Sequence, residues 1–328
     1  MGNRSIERVL DGSDLLTDAS TASTNLSARK QFMQPSLDQA PTADIVFSTI
    51  DKLREFIDKC HPTVDAVVVA NVTRSAFREI SKLRDRTGHR WRLLYLNTCH
   101  LSIVTLPTYS HEQLHVYLNE CLKDGLADMG QGKEEWTMTS SSRYPPDGNG
   151  SSGEGDSGGK PFHKRLGHDQ WPTIVFEAGF TQSLMSLRTK IRFWFSRSNH
   201  QVKIVVIVKA YPGDSAQKKI LVEQWLEQLI SGSSARRGAT TTRMLSAATT
   251  LQPVCIQTIN VMWSLPGVPF EQATMSQKTD RDSYSVARGP LSLSFESLLL
   301  REPNASTEQD VIIPDRDLKN CAIRVWAA

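Results

Sequence analysis

His111-Glu112-Gln113-Leu114-His115 sets two imidazoles four residues apart, one turn of a helix, with a carboxylate beside the first. In zinc peptidases this spacing gives two metal ligands and a general base. A third ligand would have to come from Glu134 or Glu135 downstream; the plainer reading is two ordinary surface histidines. Glu177 follows the short apolar strand expected over Thr173–Phe176. A carboxylate there is costly to bury without a partner or a metal, and the alternative is an exposed strand end. Lys190 shares a helical face with Ser183 and Ser186, from which it can reach back toward Glu177. Its alternative is a solvated lysine beside Arg188 and Arg192. Asp147 stands in Pro146-Asp147-Gly148, a strong turn signal. Trp171, Phe193, Trp194 and Trp225 read as core rather than as base-stacking surfaces.

These residues need elements to hold them. Apolar residues at helical spacing predict a helix through Val46, Ile50, Leu53 and Ile57, closed by His61-Pro62. A buried strand is expected over Val64–Val72 and an exposed, basic helix over Arg74–Thr87. Trp91–Leu96 and His100–Leu106 read as a hairpin. A helix capped by Ser110 follows from His111, with Leu114, Leu118, Cys121 and Leu122 on one face. Tyr144–Lys160, rich in Gly and Ser, reads as a flexible loop. Then come the strand before Glu177, an amphipathic helix over Gln182–Phe195 and a very apolar strand over Val202–Val208. Ile220–Ile230 reads as a further helix, Val254–Trp263 as a strand, Leu291–Leu300 as an apolar element and Asp315–Trp326 as a terminal one. The organisation expected is a disordered lead-in over 1–43 and one domain over 44–328, with flexible inserts near 139–168, 231–250 and 271–289. Loose alternation of strands and helices predicts an α/β protein: a mixed central sheet flanked by helices.

Composition limits the function classes. Among 328 residues, 38 basic and 35 acidic side chains leave a net charge of +3. A nucleic-acid partner would therefore need a local basic groove rather than a basic surface throughout. Five scattered cysteines without a CxxC pair argue against a cysteine zinc site or a disulfide framework and fit a reducing compartment. No apolar run approaches the ~18 residues of a membrane span, and the first ten residues have no apolar signal core. The expectation is an intracellular protein, cytoplasmic or nuclear, with no membrane partner; composition names no protein partner and no oligomeric state.

The string WPTIVFEAGFTQSLMSLRTKIRFWFSRSNHQVKIVVIVK carries a resemblance. Pro172, Glu177, Gly179, Ser183, Trp194 and Val202–Val208 follow one another as they do in a fungal family of restriction-endonuclease-like proteins of the PD-(D/E)xK superfamily. The segment is similar also to bacterial putative endonucleases with this strand–helix–strand core. HLSIVTLPTYSHEQLHVYL resembles the family's hairpin and first core helix, and LSLSFESLLLREP and CAIRVW its tail. The resemblance implies a restriction-endonuclease-like fold and hydrolysis of nucleic-acid phosphodiesters with Mg2+. In that reading Glu112, Asp147 and Glu177 bind the metal, with Asp169 as a weaker substitute for Asp147, and Lys190 assists catalysis. Gly179 stands where a Glu-x-Lys motif would place its lysine; Lys190, four residues before Trp194, matches the helical lysine of the bacterial relatives. The alternative is a catalytically degenerate member serving as a binding or assembly module.

Overall fold

Val67, Val68 and Val69 are buried on both sides, and they set the middle of a small four-stranded sheet. The computed structural model describes residues 37, 40–60, 63–140, 142–144, 150–212, 218–231 and 249–327. In the small sheet β1 (Ile45–Val46) runs parallel to β2 (Ala66–Ala70), and β3 (Arg92–Leu96) and β4 (Leu101–Thr105) form an antiparallel hairpin, in the order β1-β2-β4-β3. Helices α1 (Ile50–Cys60) and α2 (Arg74–Thr87) close one face over Leu53, Ile57, Phe77 and Ile80. Thr73 caps α2 by accepting from the Ala76 amide, and Gly88 ends it at φ 68°, a left-handed conformation that glycine adopts without strain. Helix α3 (Tyr109–Asp128) follows. It starts two residues earlier than the spacing predicts, because Thr108 and not Ser110 accepts from its first turn.

The second sheet has seven strands in the order β13-β12-β11-β10-β9-β8-β5. These are β5 (Trp136–Thr139), β8 (Ser157–Pro161), β9 (Ile174–Gly179), β10 (Ile204–Tyr211), β11 (Lys219–Ser231), β12 (Thr249–Trp263) and β13 (Tyr284–Ala287). Two short strands, β6 (Arg143–Tyr144) and β7 (Gly153–Glu154), pair with each other next to β3, where Ser152 bridges to Tyr95. β9 and β10 are parallel, and α4 (Leu184–Arg197) makes the crossover between them; the other pairs are antiparallel. Helices α5 (Met275–Thr279) and α6 (Phe295–Leu299), the β14 (Leu291–Leu293)–β15 (Val311–Ile313) pair and α7 (Asp315–Trp326) complete the chain.

Period-two alternation divides β9 and β10 between two cores. Ile174, Phe176, Val206 and Val208 face α3 and α7. Val175, Val205 and Ile207 face α4 and the back of the small sheet, where they join Leu94 and Ile103. Glu177, being odd-numbered, belongs to this second layer. The protein is thus of mixed α/β class, with two sheets separated by one apolar layer.

Four expectations change. Val46, expected in the first helix, lies in β1, and α1 begins only at Ile50. Ile220–Ile230 is strand and not helix: the segment pairs on both edges with β10 and β12. Tyr144–Lys160 is not a loop along its described length, since Ser157–Pro161 lies within the seven-stranded sheet and residues 150–161 are buried. The polar stretch 271–289 holds α5 and β13, with Thr274 and Gln277 forming a capping box. The expected lead-in lies almost wholly outside the described residues, as do Asp147 and most of the expected insert at 231–250.

Candidate functional site

Glu177 projects from β9 into the layer beneath α4 and has no solvent exposure. Its neighbours follow from helix geometry, since Lys190 and Trp194 are four residues apart and so share one face of α4. Lys190 Nζ donates to Glu177 Oε2 at 2.7 Å, and Trp194 Nε1 donates to Oε1 at 2.7 Å. Both carboxylate oxygens are therefore held from one helical face. Ser183 fixes the start of that helix by accepting from the Ser186 amide. Burial pushes the Glu177 carboxyl up, and the nearby Asp156 charge pushes the same way against Lys190. Burial alone would lower the Lys190 ammonium; Glu177 and Asp156 outweigh it and hold the lysine charged.

Asp156 is the carboxylate that sequence reasoning missed. It stands just before β8 with its Oδ2 accepting from the Ala178 amide at 2.8 Å. Arg92 NH1 donates to Oδ1 at 3.2 Å, and His111 Nε2 lies 3.3 Å from the same oxygen. Although burial opposes it, His111, Lys190 and Arg92 hold Asp156 well below the ordinary carboxylate range. The signal that hid it was the glycine run, read as flexibility. A Cβ on Gly153 would stand 2.4 Å from Phe193, and one on Gly159 would stand 2.2 Å from Trp136. These glycines permit close approach of aromatic rings to a strand.

His111, Glu112 and His115 all belong to the first two turns of α3. The two histidines are buried rather than on the surface, at 0 % and 1 % exposure. His111 Nδ1 lies 3.0 Å from Asp65 Oδ2, and its other nitrogen faces Asp156. Burial alone would lower the imidazole; the two flanking carboxylates raise it to about 9. Asp65 had no sequence signal either. It accepts from the Phe180, Thr181 and Gln182 amides and the Thr181 hydroxyl, which ties the small sheet to the turn after β9. Glu112 is one-third exposed, with Oε1 2.8 Å from Arg92 NH1 and Oε2 3.4 Å from His115 Nε2. Burial works against ionisation of Glu112, but His115 and Arg92 bring its carboxyl down to about 2.

The structure therefore brings together Glu177, Lys190 and, through Arg92 and Asp156, Glu112. Asp147 is outside the described residues, and Asp169 is exposed on a turn. Glu134 and Glu135 do not join the histidines: the one three-residue group of metal-ligating types among the described residues is His111, Glu112 and His115. Phe193, Trp194 and Trp225 are core, as expected, and Trp171 is half-buried on Tyr144. Outside this network an open cleft of about 740 Å³ is lined by Arg84, Arg90, Arg92, Glu112, Arg143 and Glu154. Its arginines are largely spoken for: Arg84 and Arg143 both bind Glu154 at 2.7 Å. Among the described residues no helix is long and apolar enough to cross a membrane. No protein-family model matches this sequence, and no curated protein matches it.

Proposed function

We propose that this chain is a restriction-endonuclease-like protein whose carboxylate–lysine cluster has become an internal structural network, so that it acts as a binding or assembly module. One observation carries the reading: both oxygens of Glu177 are taken by protein donors, in a side chain with no solvent exposure. Mg2+ needs several hard oxygen ligands and keeps water on the ion. Each Glu177 oxygen already accepts a short hydrogen bond from α4, and the Asp156 oxygens are engaged by Ala178 and Arg92. Breaking such bonds without a replacement would leave charges buried and unpaired.

A second reading has its own support. Asp156, Glu177 and Lys190 converge in the order acid, acid, lysine, which suits metal-assisted phosphodiester hydrolysis if the cluster opens. In that reading Glu112 and Asp156 would join Glu177 on Mg2+, and Lys190 would stabilise charge on the phosphate. The deciding experiment titrates the full chain with Mg2+ and Mn2+ by calorimetry and incubates it with plasmid, structured DNA and RNA. Absence of cleavage and of Glu177-dependent binding supports the module. Cleavage that Glu177→Ala abolishes overturns it in favour of the nuclease.

A further inference from the structure

We propose that His111, Glu112 and His115 form a site for one divalent transition-metal ion of the zinc class, beside the arginine-lined cleft that Glu112 borders. Their nitrogen and oxygen donor atoms all lie within 4.8 Å of one another. Donors around one tetrahedral zinc stand roughly 3.4 Å apart for metal–ligand distances near 2.0–2.1 Å, so side-chain shifts of about 1 Å bring the three together.

His115 supplies the independent observation. It is 1 % exposed, and neither ring nitrogen has a hydrogen-bond partner. Glu112 Oε2 stands 3.4 Å from Nε2 without the alignment of a hydrogen bond. A buried imidazole with both nitrogens unsatisfied costs free energy, and a ligand that uses one lone pair removes part of that cost. The second histidine is already oriented as metal-binding histidines are. Asp65 engages His111 Nδ1, as outer carboxylates do for ligating imidazoles, and leaves Nε2, which lies 3.3 Å from Asp156 Oδ1, as the nitrogen for the ion.

Arg92 marks where positive charge is favoured. Its NH1 lies 2.8 Å from Glu112 Oε1, 3.3 Å from His111 Nε2 and 3.2 Å from Asp156 Oδ1. The guanidinium lines the open cleft, and an ion taking its place supplies the positive charge that Glu112 and Asp156 lose as it moves out. Any proton on His111 Nε2 is released to water as the ion binds, and Nδ1–H keeps its hydrogen bond to Asp65. Glu112, the exposed member, is the ion's route in from the cleft. Since Glu112 touches His115, it serves as a ligand and not as the base of a peptidase. Glu177 and Lys190 take no part, so this site stands or falls apart from the module reading, and it shares only Glu112 with the nuclease reading.

The test is equilibrium dialysis of the full chain against Co2+ and Zn2+, with metal content per chain and the visible d–d bands of bound Co2+ as readouts. One ion per chain is expected. His115→Ala and Glu112→Gln should each weaken it by about 100-fold, while His163→Ala, on an exposed histidine, binds as the wild type does. Glu112→Gln alters a partly exposed side chain and serves if His115→Ala does not fold. Absence of a wild-type site, or binding by both ligand variants equal to wild type, overturns the proposal.

Discussion

Lys190 and Trp194 hold one carboxylate between them, which makes Glu177 the residue most sensitive to a single change. Replacing Lys190 by Met leaves a buried carboxylate with one indole donor. Removing one partner of a buried ion pair costs about 3–5 kcal/mol, and the expected loss falls in that range. Glu177→Leu combined with Lys190→Met removes both charges, and its loss should be well under that of Lys190→Met alone. Urea unfolding of the wild type, both single variants and the double variant reads the coupling directly. A double variant as unstable as the sum of its singles would refute it. The pH dependence has a definite sign. The folded state holds the Glu177 carboxyl above its ordinary value of 4.5, so the folded state binds more protons between the two values. Without Lys190 the shift grows. The deficit of Lys190→Met should therefore shrink as the pH falls through the alkaline range to about 7, the wild-type folded value, and hold level from there down to 4.5, where both folded proteins carry the proton. Helical spacing put Lys190 within reach of Glu177 but left a solvated lysine as the alternative. The Trp194 donor was not readable, because an aromatic on an inner helical face gives no sign of where its N–H points.

At the scale of elements, β9, α4 and β10 could be read because each carries an unambiguous apolar pattern. β11 could not. Ile220–Trp225 is buried on both faces, so no period-two alternation remains to be read. Its polar residues mislead further: Glu223 is buried because Arg188 on α4 and the Trp225 indole N–H both pair with it. The β7–β8 segment failed for the opposite reason, since small residues suit both a loop and a strand pressed against rings. The two readings of the glycines make different predictions. A flexible loop would tolerate Gly159→Ala, or gain a few tenths of a kcal/mol from reduced chain entropy. In the strand, a Cβ 2.2 Å from the Trp136 indole forces β5 away from β8. The expected destabilisation is about 1–3 kcal/mol, the usual range for overpacking. Trp136→Leu in the same chain should recover part of it, because the smaller side chain leaves room for the methyl. Thermal melts of the four proteins of this cycle measure both effects.

Across the whole molecule, two sheets share one apolar layer, and two carboxylates, Asp156 and Asp65, link them by hydrogen bonds. Asp65 lies just before β2, and its acceptors serve the turn at Phe180–Gln182, more than 110 positions along the chain. No local pattern could reveal a link of that length. Its lone pairs meet three backbone amides, one hydroxyl and the His111 imidazole. Burial would raise its carboxyl, but His111, Thr181 and Phe180 together hold it below its ordinary 3.8. A depressed folded value gives stability that is complete above the unfolded value and lost as pH falls below it. Glu112, brought from 4.5 to about 2, acts with the same sign in an overlapping window. Stability should thus decline from about pH 4.5 downward, steepest between pH 4 and 2, with both sheets lost in one transition because they share a core. Asp65→Asn keeps the volume and one acceptor oxygen but removes the charge, at an expected cost of about 2–4 kcal/mol at neutral pH. The variant should also show a shallower slope below pH 4, since the group that loses its partner there is already gone. Circular dichroism melts from pH 7 to pH 2 on wild type and Asp65→Asn decide the matter. Equal slopes would mean that Asp65 is not the acid-labile link between the sheets.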